Sequence, residues 1–90
     1  MLKLSERAQH ILFAVIQEYS KNPAPVGSNT LVENYQLPYS AATVRAELAS
    51  LEELGFLQKA HTSSGRTPSH LAYRYFVDSL LQTEGANSEF

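Results

Sequence analysis

Apolar residues near the N-terminus recur every three or four positions, which is typical of one buried face of a helix. These positions are Ala8, Ile11, Leu12, Val15, Ile16 and Tyr19. Ser5 precedes them and is expected to cap the helix. The segment "KNPAPVGS" follows Ser20 and contains two prolines and a glycine, so the helix should end there.

Two further helical patterns lie close together. "SNTLVENY", residues 28–35, should have Ser28 as its cap and should be ended by Pro38. "SAATVRAELASLEEL", residues 40–54, should be capped by Ser40 and closed by Gly55. On a helical wheel, its inward face carries Ala41, Val44, Leu48 and Leu51, and its outward face carries Ala42, Arg45, Ala46, Ala49 and Glu53.

The second half of the chain predicts a hairpin and then a fourth helix. "FLQKA", residues 56–60, is typical of a strand, and residues 65–68 should form the return strand. The fourth helix should be capped by Ser69 and extend to about Leu81, and its apolar members include Leu71, Tyr75 and Val77. We expect residues 1–81 to form one domain and residues 82–90 to be a flexible tail.

This order of elements predicts the fold class. Three helices, a hairpin and a further helix give a mostly α protein with a small β-hairpin (α+β), as in a winged helix-turn-helix: a three-helix core, a wing and a C-terminal helix. The second and third helices are separated only by residues 36–39. Such a pair can place its second helix in the major groove of DNA.

Composition narrows the class of protein. Ninety residues suffice for one small domain, and the lack of cysteine excludes a disulfide framework and a thiolate zinc site. The lack of cysteine favours a cytoplasmic protein, and no apolar run is long enough to span a membrane. The net charge is −2, yet residues 54–77 contain Lys59, Arg66 and Arg74 and no Asp or Glu. That window could face a polyanion.

The outward face of the third helix is the main candidate for a functional surface. Its first two turns carry Ala42, Thr43, Arg45 and Ala46, where a solvated helix face would normally carry long charged side chains. Small side chains let a helix approach base edges, and Arg45 can reach a guanine or a phosphate. We expect Glu47, Glu52 and Glu53 to be solvated or kept away from phosphate. The alternative is that this face packs against another protein.

Helix starts and the wing supply the remaining candidate contacts. Free N–H groups at helix starts bind phosphate, and the residues expected there are Ser28, Asn29, Thr30 and Ser40. Arg66, which we expect at the tip of the wing, could enter a narrow minor groove or contact the backbone. Other wing contacts are expected from Lys59, His61, Thr62, Ser63, Ser64 and Thr67. The alternative for this loop is an ordinary solvated turn.

Catalytic chemistry finds no support in the sequence. The loop lacks the order of residues that defines a phosphate-binding P-loop. The three histidines are scattered, with no partner at metal-ligand spacing, and no nucleophile–base pair is evident. We therefore predict no enzyme activity, no cofactor and no metal. Tyr73, Tyr75 and Phe76 are expected to pack in the core rather than to stack on bases.

Several motifs in order resemble one family. "PVGSNTL", "SAATVRAELASLEELGFL", "HTSSGRTPS" and "YRYFVDSLL" are together similar to the N-terminal domain of the bacterial heat-inducible transcription repressor HrcA. The resemblance implies a DNA-reading helix at residues 40–54 and a wing at residues 61–68. It also implies repression of chaperone operons through an inverted-repeat operator, a homodimer in the full-length protein, and dependence on the GroEL chaperonin through regions outside this fragment.

A second class of function stays open at this point. Winged helices also serve as protein-interaction modules, and fold alone does not decide between the two uses. The overall acidity of the chain favours the interaction module, and the small-residue face would then be a docking surface.

Overall fold

The computed structural model describes residues 3–60 and 65–87 and has the predicted order of elements. They are α1 (Glu6–Lys21), α2 (Ser28–Tyr35), α3 (Ala41–Glu53), β1 (Leu57–Lys59), β2 (Arg66–Pro68) and α4 (His70–Asn87). Four helices and one antiparallel hairpin make the chain mostly helical, and the predicted winged helix-turn-helix class is confirmed.

Three of the predicted helix caps, Ser5, Ser40 and Ser69, are confirmed by side-chain hydrogen bonds, the last because the Ala72 N–H donates to Ser69 Oγ at 3.4 Å. Ser5 Oγ accepts from the Ala8 N–H at 3.1 Å, and Ser40 Oγ accepts from the Thr43 N–H at 3.1 Å. Each bond satisfies one of the N–H groups that a helix start leaves without an intrahelical partner. The start of α3, where the candidate surface begins, is therefore fixed by its own sequence.

The residues that start and end α2 differ from the predicted ones. Ser28 is the first helical residue rather than the cap, and Gly27 takes the cap position without a side-chain hydrogen bond. The prediction failed because serine and glycine are both accepted at a cap. The helix also ends earlier than the restriction that Pro38 places on Leu37 would require, since Gln36 already has a left-handed backbone with φ 48°. This turn leads directly towards α3.

The end of α3 is closed by Gly55, as predicted. Its φ of 92° is a conformation that residues with a Cβ rarely adopt. The Phe56 N–H donates to the Leu51 carbonyl at 2.9 Å, and the Gly55 N–H donates to the Glu52 carbonyl at 3.0 Å. These two bonds form a Schellman motif, which turns the chain sharply from α3 into β1.

The wing is a short antiparallel hairpin with a third segment beside it. β1 pairs with β2 in the register Leu57↔Pro68, Gln58↔Thr67 and Lys59↔Arg66. On its other side, β2 is bridged by Val26, which exchanges two 2.8 Å backbone hydrogen bonds with Arg66. The sequence did not predict this bridge, because a single apolar residue between Pro25 and Gly27 carries no strand pattern. The bridge ties the wing to the α1–α2 loop.

One hydrophobic core joins the helices and the hairpin. Its fully buried side chains include Ile11, Leu12, Val15, Val26, Leu31, Val44, Leu51 and Leu57. From α4, Ala72 is buried, and Tyr75 and Phe76 pack against the core through ring contacts to Phe56 and Phe13.

The apolar side of α4 is only partly as predicted. Leu71, Val77 and Leu81 are 45%, 48% and 61% exposed, and Tyr73, which was expected to pack in the core, is 38% exposed, so the prediction of core packing is wrong for Tyr73. The helix touches the core through one narrow face, and these side chains lie off that face. α4 also continues to Asn87, six residues past its predicted end, whereas the boundary between domain and flexible tail stays a prediction. No helix in the described residues is long and apolar enough to cross a membrane.

Candidate nucleic-acid interface

The inward face of α3 anchors the helix to the rest of the domain. Val44, Leu48 and Leu51 are at most 2% exposed and lie in the common core. The N-terminal cap at Ser40 and the motif at Gly55 fix both ends. α3 is thus a rigid support, and its opposite side is held in one orientation.

The outward face of α3 is open to solvent, as predicted. Its exposed residues are Ala42, Arg45, Ala46, Ala49 and Glu53. Within residues 3–60 and 65–87, Arg45 makes no ion pair and no side-chain hydrogen bond. Its guanidinium, which carries five N–H donors, is therefore available to an outside acceptor. The side chains around it on this face are mostly small.

Two of the three acidic side chains of α3 are turned towards the protein. Glu47 Oε2 lies 2.8 Å from Arg7 Nε of α1, and its side chain is only 14% exposed. Glu52 Oε1 lies 3.0 Å from Arg66 Nε. Glu47 is thus largely shielded from solvent and Glu52 is half-exposed, because basic groups from neighbouring elements reach both carboxylates. Their pairing lowers the negative potential beside the outward face.

The hydroxyl groups at the start of α3 are engaged with each other. Ser40 Oγ, which also accepts the capping bond, lies 3.0 Å from Thr43 Oγ1. Thr43 is half-buried rather than fully outward. An outside ligand would meet the backbone N–H groups of this turn and the methyl groups of its neighbours more readily than these two hydroxyls.

The start of α2 presents the other predicted helix terminus. Asn29 is exposed, and Ser28 and Thr30 are half-buried. The first backbone bond of the helix runs from the Leu31 N–H to the Gly27 carbonyl at 3.2 Å. The preceding N–H groups of this turn form no backbone hydrogen bond with the described residues. They are the kind of donors that bind an anion at a helix start.

The far end of α2 is held against α1 by a polar cluster. Tyr35 Oη donates to Glu18 Oε1 at 3.2 Å, and Lys21 Nζ lies 5.2 Å from the centre of the Tyr35 ring. Partial burial is the main cause that raises the pKa of the Tyr35 phenol above its ordinary value, and the hydrogen bond to Glu18 raises it further. The cluster fixes α2, and hence the turn that leads into α3.

The wing residues fall into three groups. Lys59 is exposed at the end of β1, and Thr67 is half-buried opposite Gln58. The predicted contacts His61, Thr62, Ser63 and Ser64 lie outside the described residues. Arg66 forms the third group.

Arg66 lies in the return strand, as predicted for residues 65–68, but its side chain does not reach out from the wing. The residue lies in β2, between Lys59 on one side and Val26 on the other. Its side chain is 11% exposed and points to Glu52 of α3 rather than outward. The sequence could not reveal this partner, because fourteen positions separate the two residues and no local pattern joins them. The geometry gives no support to insertion of this guanidinium into a groove.

No metal centre accompanies this surface. In the part of the chain that the structure describes, no three His, Asp or Glu side chains come together as a metal ion would need.

The fold and this surface define a winged helix-turn-helix domain. No protein-family model matches the chain. It is 48% identical over 88 residues to a protein of Desulforamulus reducens named heat-inducible transcription repressor HrcA, covering 98% of this chain and 25% of that protein. A protein of the same name from Chloroflexus aurantiacus is 54% identical over 79 residues, covering 88% of this chain and 21% of that protein.

A solved structure agrees with these relatives. A crystal structure described as a hypothetical protein superimposes with a TM-score of 0.83 at 32% identity, over 89% of this chain and 26% of that chain. The chain belongs to the family of the heat-inducible transcription repressor HrcA and corresponds to its N-terminal quarter. It spans about a quarter of the length of the curated relatives that it matches.

Proposed function

We propose that this chain binds double-stranded DNA by placing the outward face of α3 in the major groove. The observation that carries the proposal is the combination of small exposed side chains with one unpaired guanidinium, Arg45, on the second helix of a helix-turn-helix. A helix in this position is the element that reads DNA in such folds. The names of the relatives, which are transcription repressors, support the same reading.

Base contacts are assigned to the first two turns of α3. Arg45 can donate two hydrogen bonds to a guanine edge or one to a phosphate. Ala46 and Ala42 allow close approach and can touch thymine methyl groups, and the Thr43 methyl group can do the same from the flank. The paired Glu47 and Glu52 leave only Glu53 as an unpaired carboxylate among the described residues of this helix.

Phosphate contacts are assigned to the edges of the surface. The N-terminal turns of α2 (Ser28, Asn29 and Thr30) and of α3 (Ser40) would present N–H groups to the backbone on either side of the groove. The wing would contribute Lys59 and Thr67, together with His61, Thr62, Ser63 and Ser64. Arg66 is left out of this set because its side chain is turned towards α3.

The longer protein would act as a repressor. We propose that it binds an inverted-repeat operator at chaperone operons as a homodimer in the cytoplasm, as the family resemblance implies. The dependence on the GroEL chaperonin that the resemblance implies would not act through these residues. The domain itself would bind without catalysis, and no cofactor enters the proposal.

The competing function is a protein-interaction module that uses the same face of α3. The net charge of −2 favours it. The two functions differ in their response to salt. Only DNA binding releases counterions from a polyanion, which makes affinity fall steeply with ionic strength.

The test is a titration with duplex DNA at several salt concentrations. Under the proposal, the logarithm of affinity falls linearly with the logarithm of salt, with a slope of roughly −3 to −5 for a single domain with few phosphate contacts. Failure to bind duplex DNA at low salt, even when two copies are tethered, would favour the protein-interaction module.

A further inference from the structure

The wing depends on contacts outside its own hairpin. Each strand has three residues, and a two-stranded hairpin of this length is at best marginal in isolation. The Arg66 backbone gives both its N–H and its carbonyl to Val26, at 2.8 Å each. The opposite strand reaches it through the Lys59 pairing. Arg66 is therefore the residue at which three segments of backbone meet.

The side chain of the same residue connects the wing to α3. Arg66 Nε lies 3.0 Å from Glu52 Oε1, and Glu52 belongs to the last turn of α3. A carboxylate in that turn is unfavourable next to the negative end of the helix dipole, and a neighbouring cation offsets that cost. The guanidinium supplies that charge while most of the Arg66 side chain is shielded from solvent.

We propose that Arg66 and Glu52 are a positioning pair that sets the wing relative to α3, and that neither residue contacts DNA. The inference rests on the proposed function, since the positions of wing and helix matter only to a ligand that touches both. The ion pair and the Val26 bridge together restrict the rotation of the hairpin relative to α3. DNA then meets a wing already at the required angle, and less conformational entropy is lost on binding.

Two neighbouring glutamates allow a matched test. Glu52→Gln removes the partner of Arg66, whereas Glu53→Gln removes an equal charge from the next residue, which is exposed and has no ion pair among the described residues. Removing a negative charge near DNA should by itself strengthen binding. The positioning pair predicts the opposite sign for Glu52→Gln, a loss of about three- to tenfold in affinity, and no loss for Glu53→Gln.

Arg66→Met supplies the second arm. Alone, it should lower affinity at least as much as Glu52→Gln, and adding Glu52→Gln to it should cause no further loss, because the ion pair between the two residues is already broken. The slope of log affinity against log salt should stay at the wild-type value. A phosphate contact by Arg66 would instead reduce the slope by roughly 0.9 on its removal.

The outcomes are separable. Affinity that is unchanged or stronger in Glu52→Gln, as in Glu53→Gln, would overturn the positioning pair even if Arg66→Met fails to fold. A reduced salt slope in Arg66→Met would also overturn it and return Arg66 to the DNA contacts. Wild-type protein that binds no duplex at low salt would overturn the proposed function itself. Amide hydrogen exchange at Lys59 and Arg66 would then still report whether Glu52 holds the hairpin in the free protein.

Discussion

Arg45 is the side chain on which recognition by α3 would depend most under the proposed function. It is exposed, lies between small residues, and makes no ion pair with the described residues. These properties leave the guanidinium without an internal role, so its presence on this face is best explained by an outside acceptor. The family relatives carry repressor names, which fits a role in reading DNA.

Changing Arg45 to Ala should weaken binding and relax sequence preference. A bidentate contact to a base is worth about 1–3 kcal/mol, so affinity for the preferred duplex should fall by about 5- to 100-fold. Fluorescence anisotropy with a panel of duplexes measures both effects. Arg74→Ala is the control, since Arg74 is an exposed arginine on α4 without an ion pair in the described residues. Equal losses in both variants would contradict a specific role for Arg45.

At the scale of single residues, sequence reasoning located the outward face but not the ion pairs. Ala42, Arg45 and Ala46 follow from helical periodicity, which needs no tertiary information. The partners of Glu47 and Glu52 come from α1 and β2, and no local pattern specifies such contacts. The contact of the Arg66 side chain with Glu52 went unpredicted for the same reason.

The orientation of α3 is set by the residues at its two ends. The Ser40 cap fixes one end, and Gly55 turns the chain at the other. Both follow from the sequence because cap residues act locally. The exposed side of α4 could not be predicted in this way, because Leu71, Val77 and Leu81 are apolar by type and their burial depends on which neighbours reach them.

Changing Gly55 to Ala should destabilise the domain through backbone strain. A Cβ would meet only Leu71 Cδ2 at 3.7 Å, so space is available, but the φ of 92° disfavours any side chain. We expect a loss of about 1–2 kcal/mol in the free energy of unfolding, measured by urea denaturation. Gly27→Ala is the matched control, with nothing within 4 Å and no positive φ, and should change stability by less than about 0.5 kcal/mol. Similar losses in the two variants would refute the strain argument.

At the scale of the whole molecule, the negative net charge is compatible with the proposed DNA ligand. Its charge of −2 is an average over surfaces that differ in sign. Ion pairing turns Glu47 and Glu52 away from the outward face, while Arg45 and Lys59 stay exposed. The local potential at α3 is therefore less negative than the total suggests, although a single domain still makes few charge contacts.

Tethering two copies should raise affinity far above that of one. A flexible linker makes the second binding event intramolecular, and we expect an increase of about 10²- to 10⁴-fold on a duplex with two suitably spaced half-sites. Electrophoretic mobility shift with inverted repeats of graded spacing measures the gain. A tandem protein that binds no tighter than the single domain at any spacing would argue against the proposed dimeric repressor.

The central claim is that the outward face of α3 meets DNA. Amide chemical-shift mapping by NMR, with a duplex added to the labelled domain at low salt, tests it directly. The account predicts the largest shifts from Ser40 to Ala46, with smaller ones at the start of α2 and in the wing. Shifts confined to the exposed side of α4, with α3 unaffected, would contradict it.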